Sequence, residues 1–264
     1  MTLNSSRIAD SKFWKPLWSA YATSPSIALC RVPEIEYAST LRLEGHTLDH
    51  CCGDGKFAAI AWPDQTFTAG CDLNEWAITR ARELGKHKRV DNCDAGERLP
   101  YEDAYFDLVF DNSALEHILK LDAALGEIAR VTKPGGCFAF NVLNHRYFEW
   151  WPASHEDMIA YREWQPFFHD LRLSEWSARL SNHGFALEDV GGYFPEESSR
   201  TLALLDFEFS GYSMRKRPSN LVTQYRSFLV GGRHRRSWAR RIEELTWPTE
   251  PDQGAGYFIK ARRQ

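Results

Sequence analysis

The stretch "LDHCCGDGKF", residues 48–57, places a short glycine-containing turn between an apolar lead-in and a helix-like run. Gly53 and Gly55 allow a backbone with positive φ and a close approach of a ligand to the main chain. The turn therefore lies where a strand passes into a helix, and it predicts a cradle for a nucleotide cofactor. Many nucleotide cofactors use this arrangement, so the stretch alone does not choose among them.

The residues around this turn alternate between short apolar runs and amphipathic runs of helical spacing. Strands and helices that alternate in this way predict βαβ units, and hence an α/β fold with a doubly wound, mostly parallel sheet. One helix, "LDAALGEIARVTK" at 121–133, is expected to end at the Pro134-Gly135-Gly136 turn. The predicted strands are HTLDHCC (46–52), TFTAGCDL (66–73), KRVDNCDA (88–95), YFDLVFDNSAL (105–115), GCFAFNVLN (136–144) and GYFIKARR (256–263), and LSEWSARLSNHGFALEDVGGYF (173–194) is predicted to form a helix followed by a further strand.

The 264 residues suffice for one large domain, and we predict a single domain over residues 1–264. Three stretches depart from the alternating pattern and are interpreted as insertions that cap the domain. They are a helical lid at 1–40, an aromatic-rich insertion at 145–172 after the fifth strand, and a helical, basic insertion at 195–250 before the last strand.

No part of the sequence has the apolar length of a signal peptide or a membrane-spanning helix. We therefore expect a cytoplasmic protein without a membrane span. The six cysteines lack the Cys-x-x-Cys spacing of zinc or redox sites, which indicates reduced, partly buried thiols. They are Cys30, Cys51, Cys52, Cys71, Cys93 and Cys137.

Charge is distributed unevenly along the chain. The net charge is −4, but residues 213–241 carry nine Lys or Arg and no acidic residue, which leaves 23 basic against 36 acidic residues elsewhere. Such a block is typical of a solvated helix face. The alternative is a surface for an anionic partner, such as a phosphorylated substrate or a nucleic acid.

Aspartates follow successive predicted strands, where ligands of doubly wound sheets bind. One of them, Asp72, follows the second strand, and a carboxylate there can accept hydrogen bonds from both hydroxyls of a ribose. The turn lacks the third glycine of a nicotinamide fingerprint, and the chain has no Gly-Lys-Ser or Gly-Lys-Thr of a P-loop. The pattern favours S-adenosylmethionine, which has no phosphates. The four aspartates are Asp49, Asp72, Asp94 and Asp111.

Residues 47–143 resemble the class I S-adenosylmethionine-dependent methyltransferases, especially the small-molecule branch with ubiquinone- and menaquinone-type enzymes. "LDHCCGDG" is similar to the first motif of that family, "GCDLN" to the second, and "CDAGERLPYEDAYFDLVFDNSALEHI" to the third and fourth. "EIARVTKPGG" is similar to the helix and turn before the fifth strand. The resemblance implies a seven-stranded Rossmann-like sheet with cap insertions, whose last strand is antiparallel and lies between its neighbours. Cys51 departs from the family, which usually has glycine there.

The resemblance also implies how the cofactor is bound. Asp49 and the turn would hold the methionine end, Asp72 the ribose, and Leu73 the adenine. Asp94 and the backbone of Ala95 would contact the adenine edge, and Asn112 with Ser113 would line the passage to the methyl group. Arg31, in "ALCRVPEIE", is a candidate partner of the cofactor carboxylate. The predicted cofactor residues are Arg31, Asp49, Cys51, Gly53, Gly55, Asp72, Leu73, Asp94, Ala95, Asn112 and Ser113.

Methyl transfer needs a base only when the acceptor atom carries a proton. His117, in "LEHI" after the fourth strand, is the best-placed candidate, and it could instead cap or pack the following helix. His145, in the aromatic insertion, is the second candidate. Aromatic residues of this insertion could line an acceptor pocket or form core. The spacing of the histidines gives little support for a metal site. The aromatic residues are Trp150, Trp151, Trp164, Phe167 and Phe168.

The sequence therefore predicts a methyltransferase that acts on an oxygen or nitrogen of a small molecule, such as a sugar, a glycan precursor or a secondary metabolite. The basic stretch makes an anionic acceptor an option. An RNA or protein methyltransferase is the first alternative, although the overall negative charge disfavours nucleic acid. A non-catalytic scaffold is the second, because a fold does not fix a function and Cys51 is unusual.

Overall fold

The first strand, β1 (Thr47–His50), is buried at every residue, as expected for a parallel strand covered on both faces. The computed structural model describes residues 7–21, 24–215 and 242–264. These form one sheet with strand order β3-β2-β1-β4-β5-β8-β6-β7. The further strands are β2 (Ala69–Asp72), β3 (Val90–Asn92), β4 (Phe106–Asn112), β5 (Thr132–Leu143), β6 (Phe185–Tyr193), β7 (Pro248–Thr249) and β8 (Gly256–Arg263).

The sheet is mostly parallel, and the α/β fold class is confirmed. Strands β3, β2, β1, β4 and β5 pair in parallel, while β8 pairs antiparallel with β5 on one side and β6 on the other. This confirms the expected position and direction of the last long strand. The sheet has eight strands rather than seven, because Pro248–Thr249 adds a two-residue edge strand to β6.

The helices cover both faces of the sheet. Alternate residues of β4 enter different cores: Leu108 and Phe110 pack in one cluster, and Val109 in the other. This alternation follows from the two-residue period of a strand. The helices are α1 (Trp14–Ala20), α2 (Pro25–Ala38), α3 (Lys56–Ala61), α4 (Glu75–Leu84), α5 (Leu121–Val131), α6 (His145–Glu149), α7 (His155–Trp164), α8 (Leu173–Asn182) and α9 (Glu196–Arg215).

The predicted end of the 121–133 helix is wrong by two residues. Helix α5 ends at Val131, and Thr132 already begins β5. Thr132 pairs with Phe106, and the register then shifts before Leu108 pairs with Cys137. The Pro134-Gly135-Gly136 segment therefore lies within the strand as an irregularity of the sheet rather than between two elements.

The three predicted insertions contain helices in the described part of the chain. Residues 1–40 hold α1 and α2, and residues 145–172 hold α6 and α7. Residues 195–250 hold α9 and β7, while the basic stretch 213–241 lies almost entirely outside the described residues. Helix α2 packs against α1 and α9, so the first and third insertions meet.

All six cysteines are free thiols, and three of them, Cys52, Cys71 and Cys137, are buried. The predicted partial burial of the cysteines is therefore confirmed. Among the described helices, none is both long and apolar enough to cross a membrane.

Candidate active site

The turn after β1 has the left-handed backbone that the glycines predicted. Gly53 and Gly55 have φ of 55° and 77°, and Cys51 has φ of 54°. Left-handed geometry is uncommon for a residue with a side chain and costs about 1–2 kcal/mol. The space next to the Gly53 Cα is open, since an added Cβ would meet no atom within 4 Å. The chain thus keeps a glycine-like turn with an open face although Cys51 replaces a glycine.

Asp72, the last residue of β2, is held as a hydrogen-bond acceptor next to this turn. Its Oδ2 accepts from the Gly53 backbone N–H at 2.9 Å and its Oδ1 from the Asn74 backbone N–H at 2.8 Å. Asn92 Nδ2 donates to the Asp72 and Leu73 carbonyl oxygens, at 3.2 and 2.9 Å. The carboxylate is therefore fixed in orientation, and each oxygen has a further lone pair for a ligand hydroxyl.

Two more predicted residues lie one strand further along the same edge. Asp94 follows β3, and its Oδ1 accepts from the Gly96 N–H at 2.8 Å. Ala95 is buried, whereas the Leu73 side chain is 65% exposed. Leu73 thus offers an apolar surface to solvent beside a polar strand end, which suits the flat face of a base.

The other two strand-end aspartates have buried histidine partners. Asp49 Oδ2 lies 2.7 Å from His87 Nε2, and Asp111 Oδ2 lies 2.7 Å from His50 Nδ1. Burial raises the pKa of Asp49, against the hydrogen bond from His87, which lowers it. The His50 Nε2 and His87 Nδ1 atoms are buried without a partner. These pairs join β1 to β4 and to the segment before β3.

Glu34 of α2 is a fully buried carboxylate that the sequence analysis did not single out. Asn112 Nδ2 donates to its Oε2 at 3.1 Å, and Ser113 Oγ donates to its Oε1 at 2.7 Å. Arg31, predicted to pair with a cofactor carboxylate, instead forms an ion pair with Glu34. This network ties α2 to the end of β4, where Asn112 and Ser113 were expected to line the passage to the methyl group.

A cavity of about 350 Å³ lies beside this network and is built by all three insertions. We call it the cap cavity. Residues of α2, α7 and α9 line it together with the segment that follows β4. Its described lining residues are Ser24, Ser26, Ile27, Cys30, Arg31, Ser113, Glu116, His117, Leu143, Tyr147, Tyr161, Trp164, Gln165, Phe167, Leu202 and Asp206.

His117 lies at this cavity, and its hydrogen bonding fixes its tautomer. Its Nδ1 is 2.6 Å from the Pro166 carbonyl oxygen, which can only accept, so Nδ1 carries the hydrogen and Nε2 the lone pair. Burial lowers the pKa of the imidazole below 6.5, so the ring is neutral at pH 7. A neutral ring with an available lone pair has the state that a general base requires.

The structure does not bring His145, the second predicted base, to the cap cavity. Arg172 Nη1 donates to its Nε2 at 2.9 Å, so this nitrogen has an acceptor role within the protein. Its Nδ1 is buried without a partner. Within the aromatic insertion, Trp164 lines the cavity, Trp151 packs in the core, and Phe167 does both.

Comparison with known proteins agrees with this geometry. Residues 48–140 match the family model described as the methyltransferase domain. The malonyl-[acyl-carrier protein] O-methyltransferase of Buchnera aphidicola is 26% identical over 225 residues, which are 81% of this chain and 79% of that protein. The 24-methylenesterol C-methyltransferase 2 of rice is 34% identical over 116 residues, which span 41% of this chain but only 32% of the rice protein.

The fold agrees as well. A solved S-adenosylmethionine-dependent methyltransferase from Thermotoga maritima superimposes with a TM-score of 0.59, covering 96% of this chain and 98% of that one at 16% identity. Residues 48–140 are thus a methyltransferase domain, and the chain is similar to the class I S-adenosylmethionine-dependent methyltransferases. Its cofactor is S-adenosylmethionine.

The donors and acceptors of this methyltransferase fit that cofactor. Asp72 has acceptors for two ribose hydroxyls, Leu73 presents an apolar face for adenine, and the space at Gly53 is open for the methionine end. The assignment of the individual contacts stays a prediction. For Asp49 the structure shows an internal partner, His87, so its predicted contact with the methionine end would add to an existing hydrogen bond.

The tautomer of His117 can be tested in the methyltransferase by nitrogen-15 NMR. We expect its imidazole to be protonated at Nδ1 alone at pH 7 and to titrate below pH 6.5, because burial disfavours the charged ring. The signal is assigned by its loss in His117→Gln. A hydrogen on Nε2, or a titration above pH 6.5, would contradict this geometry.

Proposed function

We propose that this methyltransferase transfers a methyl group from S-adenosylmethionine to an oxygen or nitrogen of a small molecule held in the cap cavity. The observation that carries the proposal is the position of Ser113. It directly follows the last residue of β4, where the family binds its cofactor, and it also lines the cap cavity. A molecule in the cavity would therefore lie next to the methyl donor.

Residues of this chain would act on the acceptor by alignment and by proton transfer. S-adenosylmethionine supplies an electrophilic methyl group on a sulfonium. The cap cavity would exclude water and orient the acceptor, a contribution of about 7–11 kcal/mol in well-aligned systems. His117 Nε2 would take the proton of an acceptor hydroxyl or ammonium, since the ring is neutral and its other nitrogen is engaged by Pro166.

The alternatives have less support. The RNA or protein methyltransferase reading depends on residues 213–241, almost all of which lie outside the described residues. The scaffold reading depends on Cys51, yet the turn retains its left-handed geometry there. An anionic acceptor depends on the same basic stretch. The six free cysteines support the predicted cytoplasmic location.

Titration of the purified protein with S-adenosylhomocysteine by calorimetry tests the proposal. We expect a dissociation constant near 1 μM, or about −8 kcal/mol, with one site per chain. NAD serves as the control, because it shares the adenosine but carries a pyrophosphate. No heat of binding with S-adenosylhomocysteine at millimolar concentration, or equal affinity for NAD, would contradict the proposed function.

A further inference from the structure

Among its described lining residues, the cap cavity has more acidic than basic side chains. Glu116 and Asp206 both line it. Arg31 is the cation in the described lining, and its charge is already balanced by the ion pair with Glu34. The two remaining carboxyl groups have no cationic partner among the described ion pairs.

Glu116 is 1% exposed and incompletely hydrogen bonded. Its Oε1 accepts a long bond of 3.4 Å from the Leu143 N–H, and its Oε2 is buried with no partner. Leaving a buried carboxyl oxygen unpaired costs about 1–3 kcal/mol or more, so such an atom in a cavity wall points to a ligand that donates to it. Since Glu116 precedes His117 directly, this donor would lie near the proposed base.

Asp206 and several aromatic residues line the same cavity. The Tyr161 hydroxyl donates to Asp206 Oδ2, and burial raises the pKa of Asp206 while the Tyr161, Ser26 and Tyr147 hydroxyls lower it. The Tyr161 ring stacks against Phe167 with centroids 6.1 Å apart, and Trp164 lies 6.4 Å from Tyr161. Aromatic faces beside carboxylates attract cations, because the ring quadrupole is negative above the plane.

We propose that the acceptor of the cap cavity is a small amine that binds as its ammonium ion, with Glu116 and Asp206 as the carboxyl groups that recognise it. This inference rests on the proposed function and narrows its oxygen-or-nitrogen acceptor to nitrogen. It also assigns specificity to two carboxyl groups 90 residues apart in the sequence. A bound ammonium would stabilise the ionised form of both carboxyl groups, whose pKa values are raised by burial, whereas a carboxylate acceptor would disfavour that ionisation.

The reaction then balances without a further reactant. The bound ammonium gives one proton to Nε2 of His117, and the nitrogen lone pair forms the new N–C bond to the methyl group. The electrons of the broken S–C bond remain on sulfur, so the sulfonium becomes the neutral thioether of S-adenosylhomocysteine. The product is a methylated ammonium, and the proton leaves His117 to solvent.

Three probes that share a phenyl ring and a short chain test the inference by calorimetry at pH 7.5. They are 2-phenylethylamine, 2-phenylethanol and phenylacetate, each titrated with and without saturating S-adenosylhomocysteine. We expect the amine to bind at least about tenfold more tightly than the alcohol, and the carboxylate to be the weakest, since a charge-assisted hydrogen bond contributes about 1.5–3 kcal/mol.

Two variants connect the preference to the carboxyl groups. Glu116→Gln and Asp206→Asn keep the side-chain shape. Each is expected to lower the affinity for the amine by about tenfold while changing the affinity for the alcohol by less than threefold. Glu102→Gln, at an exposed glutamate, is the matched control and should change neither. Unchanged affinity for S-adenosylhomocysteine in all three variants shows that the fold and the cofactor site are intact.

The inference is overturned if the alcohol or the carboxylate binds as tightly as the amine, if the amine does not bind at 10 mM or so, or if neither carboxyl variant weakens it. Loss of S-adenosylhomocysteine binding with a retained amine preference would reject the proposed function alone. Binding of S-adenosylhomocysteine without an amine preference would reject only the inference.

Discussion

Asp72→Ala is expected to weaken the binding of S-adenosylhomocysteine by about 100-fold or more. The carboxylate is predicted to accept hydrogen bonds from both ribose hydroxyls, and bonds to a charged acceptor contribute about 1.5–3 kcal/mol each. The substitution also removes the acceptor of the Gly53 and Asn74 N–H groups, which hold the turn against β2. Calorimetric titration of the variant and the wild type measures the change.

The control for this prediction is Asp64→Ala, at an exposed aspartate in the turn after α3. It removes the same side chain and charge without touching the turn at 51–55, so its affinity should equal that of the wild type. Thermal unfolding of both variants shows whether the fold is retained. An Asp72→Ala protein that stays folded and binds within threefold of the wild type would contradict the predicted role of Asp72.

Glu116→Gln is expected to stabilise the protein relative to the wild type by an amount that grows with pH. Burial raises the pKa of Glu116 from 4.5 to about 8. The folded protein therefore keeps a proton that the unfolded chain has already lost. Between these two pKa values, each pH unit lowers the free energy of unfolding of the wild type by about 1.4 kcal/mol. Glutamine does not titrate, so the variant does not lose this stability. From pH 5.5 to 8 the difference should grow by about 3 kcal/mol.

Neighbouring groups act on Glu116 in both directions. Asp111 and Glu34 raise its pKa further, while the backbone N–H of Leu143 lowers it. His117, Arg31 and Asp206 share the cap cavity and retain their titration in the variant. Because all of these groups are present in both proteins, the difference between wild type and variant isolates Glu116.

Urea unfolding of both proteins at several pH values measures this difference, with Glu102→Gln as the exposed control. The control should follow the wild type at every pH. A constant difference between Glu116→Gln and the wild type from pH 5.5 to 8 would show that Glu116 ionises at a normal pKa in the folded protein, and would contradict its burial as an unpaired acid.

The local geometry of the turn after β1 and of the end of β2 agrees with the sequence because its signals are local, while the cofactor contacts of these residues stay predictions. The glycine turn, the aspartate at the end of β2 and the apolar Leu73 are each defined within a few residues, and parallel strands bring their carboxyl ends to one edge. Asn92, which fixes the Asp72–Leu73 backbone, was missed. Its place at the end of the next strand could have suggested it, since neighbouring strand ends lie side by side.

The cavity half could not be predicted in this way. Glu34 is hydrogen bonded to Asn112 and Ser113, which lie 78 and 79 positions further along the chain. Asp206 is hydrogen bonded to Tyr161, which lies 45 positions earlier. Arg31 was predicted to pair with the cofactor carboxylate. That prediction did not consider Glu34, three residues later in the same helix, as an alternative partner of Arg31. The i, i+3 spacing of opposite charges on one helix was the available signal.

His117 and His145 show the same limit. His117 was preferred for its place after the fourth strand, and His145 lies in the aromatic insertion, but neither position shows which ring nitrogen is available. The backbone carbonyl of Pro166, 49 residues away, orients His117 at the cavity, whereas Arg172 occupies the Nε2 of His145. The hydrogen-bond partners of a side chain decide its chemical state, and these partners come from other elements of the fold.

The sequence by itself determined the strand and helix alternation, the glycine turn and the strand-end aspartates, because each depends on contacts within a few residues. The tertiary structure alone decided which carboxyl groups share a cavity, which histidine presents a lone pair there, and which acids are already neutralised. These properties depend on burial and on partners brought together from α2, α7, α9 and the end of β4. Desolvation and pairing therefore assign the chemistry of the cap cavity, and neither is a property of sequence spacing.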